Sequence, residues 1–273
     1  VFFNLGGAAH EIGVKQVALY LWGQYGASHR VKFVTVPFEA VVTEILKSVH
    51  TSYMGVTLKR LMLMASERIA KKMNIDVLVT GERVAQVSSQ TLRNLAVIDK
   101  VSDMLVLRPL ATMDKPEIMA IADKIGTRHF AESMPEYCGV ISQNPVINAS
   151  FDRMEREANK FDYAMLDKAV EDAVTIAVDK IIEDVTKTAH VEVMNHVPEN
   201  TVVIDIRGAL EQQRKPLTLP YVLSIPFHEL NYRFPKLNQA KAYLLYCDKG
   251  MMSQLHAQYL NDRGFANVRV YRP

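Results

Sequence analysis

The first 150 residues alternate short apolar runs with longer stretches in which apolar positions recur at helical spacing. The short runs predict β-strands at residues 1–5, 30–36, 76–80 and 104–107, and the longer stretches predict helices that end near residue 25 or cover residues 40–49, 56–74 and 115–125. This alternation is typical of a parallel sheet covered on both faces. We therefore predict an α/β fold with buried strands, in which ligands bind in the loops beyond the carboxyl ends of the strands, at residues 6–7, 81–82 and from 108 onward.

The predicted helix at 115–125 has a cation in an unusual place. Asp114 and Glu117 have the spacing of a capping box, and Gly126 follows the helix where a glycine commonly ends one. Lys115 therefore lies in the first helical turn, where the helix dipole disfavours a cation by roughly 0.3–1 kcal/mol. Either a phosphate or another anion shares this position, or Lys115 simply points into water.

The middle of the chain is acidic and separates two parts. Residues 151–194 contain neither Gly nor Pro, carry a net charge of −5 and have apolar residues at helical spacing. We predict a solvated helical connector there, which ends near the turn-forming residues 195–200. Apolar runs at 202–206, 221–225, 241–246 and 268–271 then predict a small second α/β domain. The predicted organisation is a first domain at 1–150, a connector at 151–194 and a second domain at 195–273.

Composition and charge limit the function classes. A chain of 273 residues with 49% hydrophobic and 23% charged side chains fits two globular domains. Its net charge of +2 excludes a strongly polybasic nucleic-acid binder, though not a local basic face. No apolar run approaches the roughly 18 residues of a membrane helix. Two cysteines suit a reducing, cytoplasmic location, and eight histidines without metal-ligand spacing predict no tightly bound metal.

The strongest chemical signal is a loop between a predicted strand and a predicted helix, with the sequence Cys247-Asp248-Lys249-Gly250-Met251-Met252-Ser253. The backbone N–H groups of such a loop, the positive end of the helix and Lys249 would lower the pKa of the Cys247 thiol and stabilise a thiolate or persulfide. The alternative is a buried cysteine that packs as a small hydrophobic residue. Phosphatase chemistry is disfavoured, because Ser253 occupies the position of the phosphatase arginine.

Four stretches of the last part together resemble a rhodanese, or sulfurtransferase, domain. They are Asp205-Ile206-Arg207, Leu223-Ser224-Ile225-Pro226, the Cys-x-x-Gly-x-x-Ser loop and Gly264-Phe265-x-x-Val268. The resemblance implies that Cys247 carries sulfur as a persulfide. The loop lacks the additional arginine of the thiosulfate-using pattern, which favours a protein persulfide as the sulfur donor.

Four segments of the first part resemble the adenine-nucleotide-binding domain of the tRNA 4-thiouridine sulfurtransferases, a family that also supplies sulfur for the thiazole of thiamine. The segments are 2–10, 80–82, 86–91 and 134–140. With the rhodanese part, the resemblance covers the whole chain. It implies a PP-loop ATPase-like domain that uses ATP with Mg²⁺. It also implies tRNA, a cysteine desulfurase and the thiamine sulfur-carrier protein as partners.

Some features of that family have no counterpart in this sequence. They are the N-terminal ferredoxin-like region, the RNA-binding THUMP domain and the S-G-G-x-D-S pyrophosphate loop. The sequence also starts at Val1, without Met or a signal-peptide pattern, in a predicted strand. We therefore expect it to be a piece of a longer protein and, by itself, incomplete for adenylation.

The resemblance also assigns residues of the nucleotide site. Phe2 and Phe3 match the adenine-side strand, Lys59 and Gln90 match positions that contact the nucleotide, and Gly81 would allow a ligand to approach the backbone closely. Without the resemblance, the two phenylalanines would be core residues, the glycine a turn residue, and the lysine and glutamine solvated surface residues.

The mechanism that the resemblance implies uses both cysteines. ATP adenylates O4 of a uridine in tRNA, with Lys115 stabilising negative charge, and a cysteine desulfurase passes a persulfide to Cys247. The terminal sulfur attacks the activated carbon, and Cys138 then attacks the sulfur–sulfur bond and forms a transient Cys138–Cys247 disulfide. Two other hypotheses remain open: a stand-alone rhodanese-type persulfide carrier with a degenerate nucleotide-binding module, and a non-catalytic binding fragment.

Overall fold

The computed structural model describes residues 1–5, 8–26, 28–128, 130, 144–181, 191–248 and 250–273. These residues form two compact units. Val1–Val14 and Lys32–Ile176 make the first unit, and Lys15–Val31 and Ala177–Pro273 make the second. Both units contain parallel strands connected through helices, which confirms the predicted α/β fold class.

The first unit contains two small sheets. Strands β1 (Phe2–Asn4), β2 (Lys32–Pro37) and β5 (Val174–Ala177) make one sheet in the order β1-β2-β5. Strand β3 (Val77–Val79) pairs in parallel with β4 (Leu105–Leu107) in the other sheet. Phe2 lies opposite Thr35 in the parallel register of β1 and β2. The side chains of Val34 and Val36 place β2 in the core of this unit.

Seven helices are described from the start of the chain to residue 171. They are α1 (Ala8–Leu21), α2 (Glu39–Ser48), α3 (Met54–Lys72), α4 (Leu92–Asp99), α5 (Lys115–Lys124), α6 (Phe151–Ala158) and α7 (Ala164–Glu171). A π-helical turn, Trp22–Gly26, follows α1. Helix α3 has the most extensive apolar stripe, with Leu58, Leu61, Ala65 and Ile69 buried in the core. Helical periodicity located α2, α3 and α5 to within about two residues at each end, whereas it did not predict α4.

The strands β3 and β4 are less buried than their apolar sequences predict. Val79 is 66% exposed, and Leu105 and Leu107 are 58% and 45% exposed. The register pairs Val79 with Leu107, so these side chains lie on one face of the two-stranded sheet. The prediction that both strands are buried is wrong, because the described part of the chain leaves this face uncovered.

The segment predicted as a solvated connector is different in the structure. Helices α6 and α7 pack in the core of the first unit, where Met154 and Leu166 are fully buried, and β5 then joins the sheet of β1 and β2. The acidic residues on these helices pair with basic residues of α3. Arg60 contacts Glu155 at 2.6 Å, and Arg68 pairs with Asp167. The first unit therefore extends beyond residue 150, to Ile176.

The second unit has one fully parallel sheet of five strands. Strands β6 (Val193–Met194), β7 (Thr201–Asp205), β8 (Val222–Ser224), β9 (Ala242–Tyr246) and β10 (Val268–Tyr271) lie in the order β6-β10-β9-β7-β8. Because β6 pairs with β10, this unit already includes residues before the boundary predicted at 195. Val203, Leu244 and Val270 are fully buried in the strands.

Three helices connect the strands of the second unit. They are α8 (Ala209–Arg214), α9 (Phe227–Arg233) and α10 (Met251–Asp262). Helix α10 ends before Gly264, which has a φ of +92° as expected for a glycine after a helix. Across the described residues of both units, no helix combines the length and the apolar character needed to cross a membrane.

A first prediction tests the assignment of α7 to the first core. Leu166→Ala should cost about 2–5 kcal/mol of stability, because it removes a fully buried side chain. Lys168→Ala is the matched control, because this exposed residue lies on the same helix and should change the stability by less than about 1 kcal/mol. Amide hydrogen exchange in α3 measures both effects within the first unit. Equal protection in the two variants would mean that α7 is a solvated connector after all.

Candidate functional sites

A cavity of the first unit lies beside the carboxyl end of β3. Its volume is about 480 Å³. Four of the residues assigned to the nucleotide site line it, and these are Phe3, Lys59, Gly81 and Gln90. The structure thus brings together residues from β1, from α3 and from the two segments that follow β3.

Phe2 lies elsewhere. Its ring is buried against His10 and Phe33, with ring centroids 5.3 and 6.1 Å apart. Successive side chains of a strand point to opposite faces, so Phe2 and Phe3 cannot both face the cavity. Phe2 is therefore a core residue, which is the alternative that the sequence left open.

Gly81 and Gln90 leave room and hydrogen-bonding capacity at the cavity. A Cβ atom added to Gly81 would meet nothing within 4 Å, so this position borders open space. Gln90 is only 9% exposed, and its Oε1 has no hydrogen-bond partner among the described residues. A buried acceptor without a partner costs about 1–3 kcal/mol, which is recovered when a ligand or a water donates a hydrogen bond to it.

A buried carboxylate connects the cations at this cavity. Glu82 accepts hydrogen bonds from Lys59 Nζ at 3.1 Å, from Arg108 Nε at 2.9 Å and from Thr80 Oγ1 at 3.2 Å. Arg108 also donates to both carboxylate oxygens of Asp99, at 3.0 and 2.6 Å. Arg108 thus bridges two carboxylates, and within the described residues the Lys59 ammonium uses one of its three N–H donors.

The pKa values of this cluster move in opposite directions. Burial raises the pKa of the Glu82 carboxyl, but attraction and hydrogen bonding to Lys59, and then to Arg108, outweigh burial and leave that pKa below its ordinary value. Burial lowers the pKa of Arg108, but its hydrogen bonds to Asp99 and Glu82 outweigh burial and raise it. Glu82 and Arg108 are therefore both charged at neutral pH.

The parallel pairing of β3 and β4 explains why Glu82 and Arg108 meet. Arg108 directly follows β4, and Glu82 lies three residues after β3. Thr80 N–H donates to the carbonyl of Leu107 at 3.0 Å, which continues the register beyond the strands. The sequence indicated both loops as candidate ligand sites, but it assigned no role to Glu82, Arg108 or Asp99. Glu82 and Arg108 follow adjacent parallel strands, and that position is the signal that could have found them, whereas Asp99 is the last residue of α4.

Lys115 does not lie at this cavity. Lys115 is exposed at the first position of α5, after a capping box in which Asp114 accepts the Glu117 N–H at 2.8 Å. It is not among the described residues that line the cavity. Cys138 lies outside the described residues.

In the second unit, Cys247 directly follows β9 and precedes α10. The cysteine is 9% exposed, and its Sγ accepts the N–H of Ser253 at 3.3 Å and lies 3.4 Å from Ser253 Oγ. Gly250 turns the loop with a φ of +71°, and a Cβ there would approach Arg272 Cδ to 3.3 Å, so a glycine is required at this position. Lys249 lies outside the described residues. Cys247 is thus both buried and hydrogen-bonded through its sulfur.

A buried arginine holds the start of this loop. Arg207 donates to Asp205 at 2.9 and 2.6 Å and to Asp248 at 3.0 Å. Tyr246 donates its hydroxyl to the same Asp248 oxygen at 3.0 Å, and the Arg207 guanidinium lies 5.0 Å from the Tyr246 ring centroid. Hydrogen bonding to Asp205 is the main cause of the raised pKa of Arg207. Asp248, the residue after Cys247, is therefore held in place by its charge-assisted hydrogen bonds to Arg207 and Tyr246.

A second, smaller cavity opens beside Cys247. It has a volume of about 150 Å³, and its walls include Tyr20, Glu211, Phe227 and Asp248. The rings of Tyr20 and Phe227 lie 4.5 Å apart. Burial is the main cause that raises the pKa of Tyr20 to about 12, so its phenol stays protonated at neutral pH.

Two family models match this chain. The family model described as thiamine biosynthesis protein (ThiI) matches residues 1–163. The chain belongs to the ThiI family. A second model, the rhodanese-like domain, matches residues 177–272 of this ThiI-family chain.

Relatives of this ThiI-family chain are considerably longer than it is. It is 51% identical over its whole length to a tRNA sulfurtransferase of Saccharophagus degradans and 52% identical to one of Pseudomonas syringae pv. tomato. It spans 57% of the length of each relative. The crystal structure of a 4-thiouridine synthetase in complex with RNA, with bound ATP, matches with a TM-score of 0.60. At 24% identity, covering 64% of this chain and 47% of that one, the match shows a shared fold.

A second prediction concerns Glu82 of this ThiI-family chain. Because its folded-state pKa is lowered, Glu82 stabilises the fold above its ordinary pKa of about 4.3, and this contribution is lost as the pH falls through the lowered value. Glu82→Gln should cost about 2 kcal/mol at pH 7, as expected for lost charge-assisted hydrogen bonds, and should flatten the acid loss of stability.

Hydrogen exchange of α3 amides between pH 7 and pH 3 measures this effect, corrected for the pH dependence of intrinsic exchange. Glu171→Gln, at an exposed carboxylate in the same unit, is the matched control. If the two variants lose stability in the same way on acidification, Glu82 does not hold the cation cluster.

Proposed function

We propose that this chain carries the nucleotide and sulfur-transfer parts of an ATP-dependent tRNA sulfurtransferase that makes 4-thiouridine in tRNA. The observation that carries the proposal is the Cys247 loop, in which a buried sulfur accepts a backbone N–H at 3.3 Å in a unit that matches the rhodanese-like domain. Relatives that are 51–52% identical are named tRNA sulfurtransferases, which supports the same activity.

The cavity of the first unit supports ATP as the activating substrate. Its volume of about 480 Å³ falls within the usual range for small-molecule sites. Phe3 supplies an aromatic face, Gln90 supplies a buried acceptor, and Lys59 supplies N–H donors for a phosphate. The ATP bound to the structural neighbour supports this choice. Mg²⁺ is expected to accompany the phosphates.

Sulfur reaches Cys247 by exchange between a thiolate and a persulfide. The Cys247 thiolate attacks the terminal sulfur of a persulfide on a cysteine desulfurase, a new sulfur–sulfur bond forms, and the donor cysteine leaves as a thiolate. The Ser253 N–H, which already points at Sγ, stabilises negative charge on the sulfur.

Transfer to tRNA then needs an activated uridine and a second thiol. ATP converts O4 of the uridine into an adenylate, with Lys115 stabilising the developing negative charge. The terminal persulfide sulfur attacks C4 and AMP leaves. Cys138 attacks the Cys247 sulfur, so that the bond to the transferred sulfur breaks and 4-thiouridine departs. A thiol reductant supplies two electrons and two protons to reopen the Cys138–Cys247 disulfide.

The same persulfide would serve other acceptors. We include the thiamine sulfur-carrier protein as a second acceptor, a cysteine desulfurase as the donor and the cytoplasm as the location, because free thiols persist in that compartment. A stand-alone persulfide carrier is the second candidate function. It is favoured by one observation, which is that every contact of the Cys247 loop described above is made within the second unit.

Our third prediction separates the roles of the two thiols in the intact protein. Cys247→Ser should lose persulfide formation, because the acceptor sulfur is gone. Cys138→Ser should accept sulfur on Cys247 but should not thiolate tRNA repeatedly. Incubation with a cysteine desulfurase, followed by intact mass and 4-thiouridine measurement, tests both. Many cycles of thiolation by Cys138→Ser without added reductant would contradict the resolving role.

The fourth prediction concerns Lys115. Lys115→Ala should abolish tRNA thiolation in the intact protein, because a cation at a helix start lowers the energy of negative charge nearby. It should still form the Cys247 persulfide, which separates activation from sulfur loading. Lys124→Ala, at the other end of the same helix, is the matched control and should thiolate normally. Normal thiolation by Lys115→Ala would contradict the assignment.

A further inference from the structure

Acidic side chains dominate the pocket beside Cys247. Among the described residues that line it, Glu211 and Asp248 are acidic and Arg207 is the one cation. Glu211 Oε2 accepts the Gly208 N–H at 3.2 Å, which is a hydrogen bond without a compensating full charge. The described lining therefore carries a net negative charge.

Arg207, the cation of this pocket, already donates hydrogen bonds to protein acceptors. Arg207 donates through Nε and Nη2 to Asp205, through Nη1 to Asp248 and through Nη2 to the carbonyl of Lys215. Its side chain is 3% exposed. Two carboxylates thus more than balance the guanidinium, and Lys215 Nζ, which is largely exposed, approaches Asp248 Oδ1 only to 3.9 Å.

The size of the pocket does not select the sulfur donor. A dry cavity of about 150 Å³ accepts a benzene molecule, and thiosulfate has fewer heavy atoms than benzene. The pocket has about that volume. Charge is then the remaining basis for selection, because the carboxylates of Asp248 and Glu211 repel a dianion.

We propose that Asp248 and Glu211 are specificity-determining residues that keep dianionic sulfur donors, such as thiosulfate, away from Cys247. The pocket then favours sulfur that is carried on a thiol, as a persulfide. This inference rests on the proposed role of Cys247 as the sulfur acceptor.

The chemistry explains where the repulsion acts. In the thiosulfate reaction, the Cys247 thiolate attacks the outer sulfur and a new sulfur–sulfur bond forms. The bond to the central sulfur breaks, and its electron pair leaves with sulfite, a dianion. Both the entering and the departing groups carry two negative charges past Asp248 and Glu211. With a protein persulfide as donor, the departing group is a single thiolate.

The experiment compares two donors in the intact protein. One assay measures thiosulfate-dependent conversion of cyanide to thiocyanate, and the other measures sulfur loading of Cys247 by a cysteine desulfurase. The variants are Asp248→Asn and Glu211→Gln, which keep an oxygen acceptor for Arg207 and for the Gly208 N–H. Glu229→Gln is the matched control, because this carboxylate pairs with Arg233 in the same unit but is not among the described pocket residues.

Each pocket variant should raise the ratio of thiosulfate use to persulfide loading by about tenfold, and the double variant should raise it further. Salt should accelerate thiosulfate use by the wild type more than by the double variant, because screening relieves repulsion. The control should leave the ratio unchanged. Glu211→Gln gives an independent test where Asp248→Asn fails to fold.

An unchanged ratio in the pocket variants, or an equal rise in the control, would overturn the inference while leaving the proposed function intact. If the desulfurase does not load Cys247 in the wild type, the proposed function fails and this inference fails with it. Rapid use of thiosulfate by the wild type, matching the persulfide donor, would also overturn the inference.

Discussion

A guanidinium shared between two carboxylates organises the site of each unit. In the first unit Arg108 binds Glu82 and Asp99, and in the second unit Arg207 binds Asp205 and Asp248. Desolvating a charge is costly unless partners compensate for it, so removing any one partner would leave the others exposed to that cost. Charge pairing therefore holds the loops at the carboxyl ends of the strands in addition to backbone hydrogen bonds such as Thr80 N–H to the Leu107 carbonyl. The ion pairs of these clusters position Lys59 in the first unit and Asp248, the residue after Cys247, in the second.

The two arginine clusters leave different groups available to a ligand. In the first unit, Glu82 is shared by Lys59 and Arg108, so the cavity wall keeps N–H donors suited to phosphate oxygens. In the second unit, Arg207 is shared by Asp205 and Asp248, so the described pocket wall keeps carboxylates beside the thiol. Under the proposals above, the same kind of ion-pair cluster binds a polyanionic nucleotide at one site and disfavours small anions at the other.

The hydrophobic pattern predicted the helices better than it predicted their surroundings. A 3.6-residue period depends on local sequence alone, and α2, α3 and α5 were found for that reason. Burial of β3 and β4 depends on whether another layer covers the sheet, which a strand sequence does not encode. The prediction that residues 151–194 form a solvated connector was wrong for a related reason. An amphipathic helix with acidic residues has the same pattern in solvent and in a core, and only the pairing of Arg60 with Glu155 and the burial of Leu166 distinguish the two cases.

The candidate sites show the same division between local and long-range information. The sequence placed Gly81 and Cys247 in loops after strands, and the structure places both at cavities. It could not pair Glu82 with Arg108, because that contact joins residues 26 positions apart.

For Cys247, the sequence offered a reactive loop thiol or a buried hydrophobic residue as alternatives, yet the structure combines them. Burial removes water from the sulfur, and the Ser253 N–H at 3.3 Å then interacts more strongly with it, because a hydrogen bond strengthens where the local dielectric constant is low. The buried sulfur thus has a backbone donor directed at it, which is the geometry on which the proposed persulfide role rests.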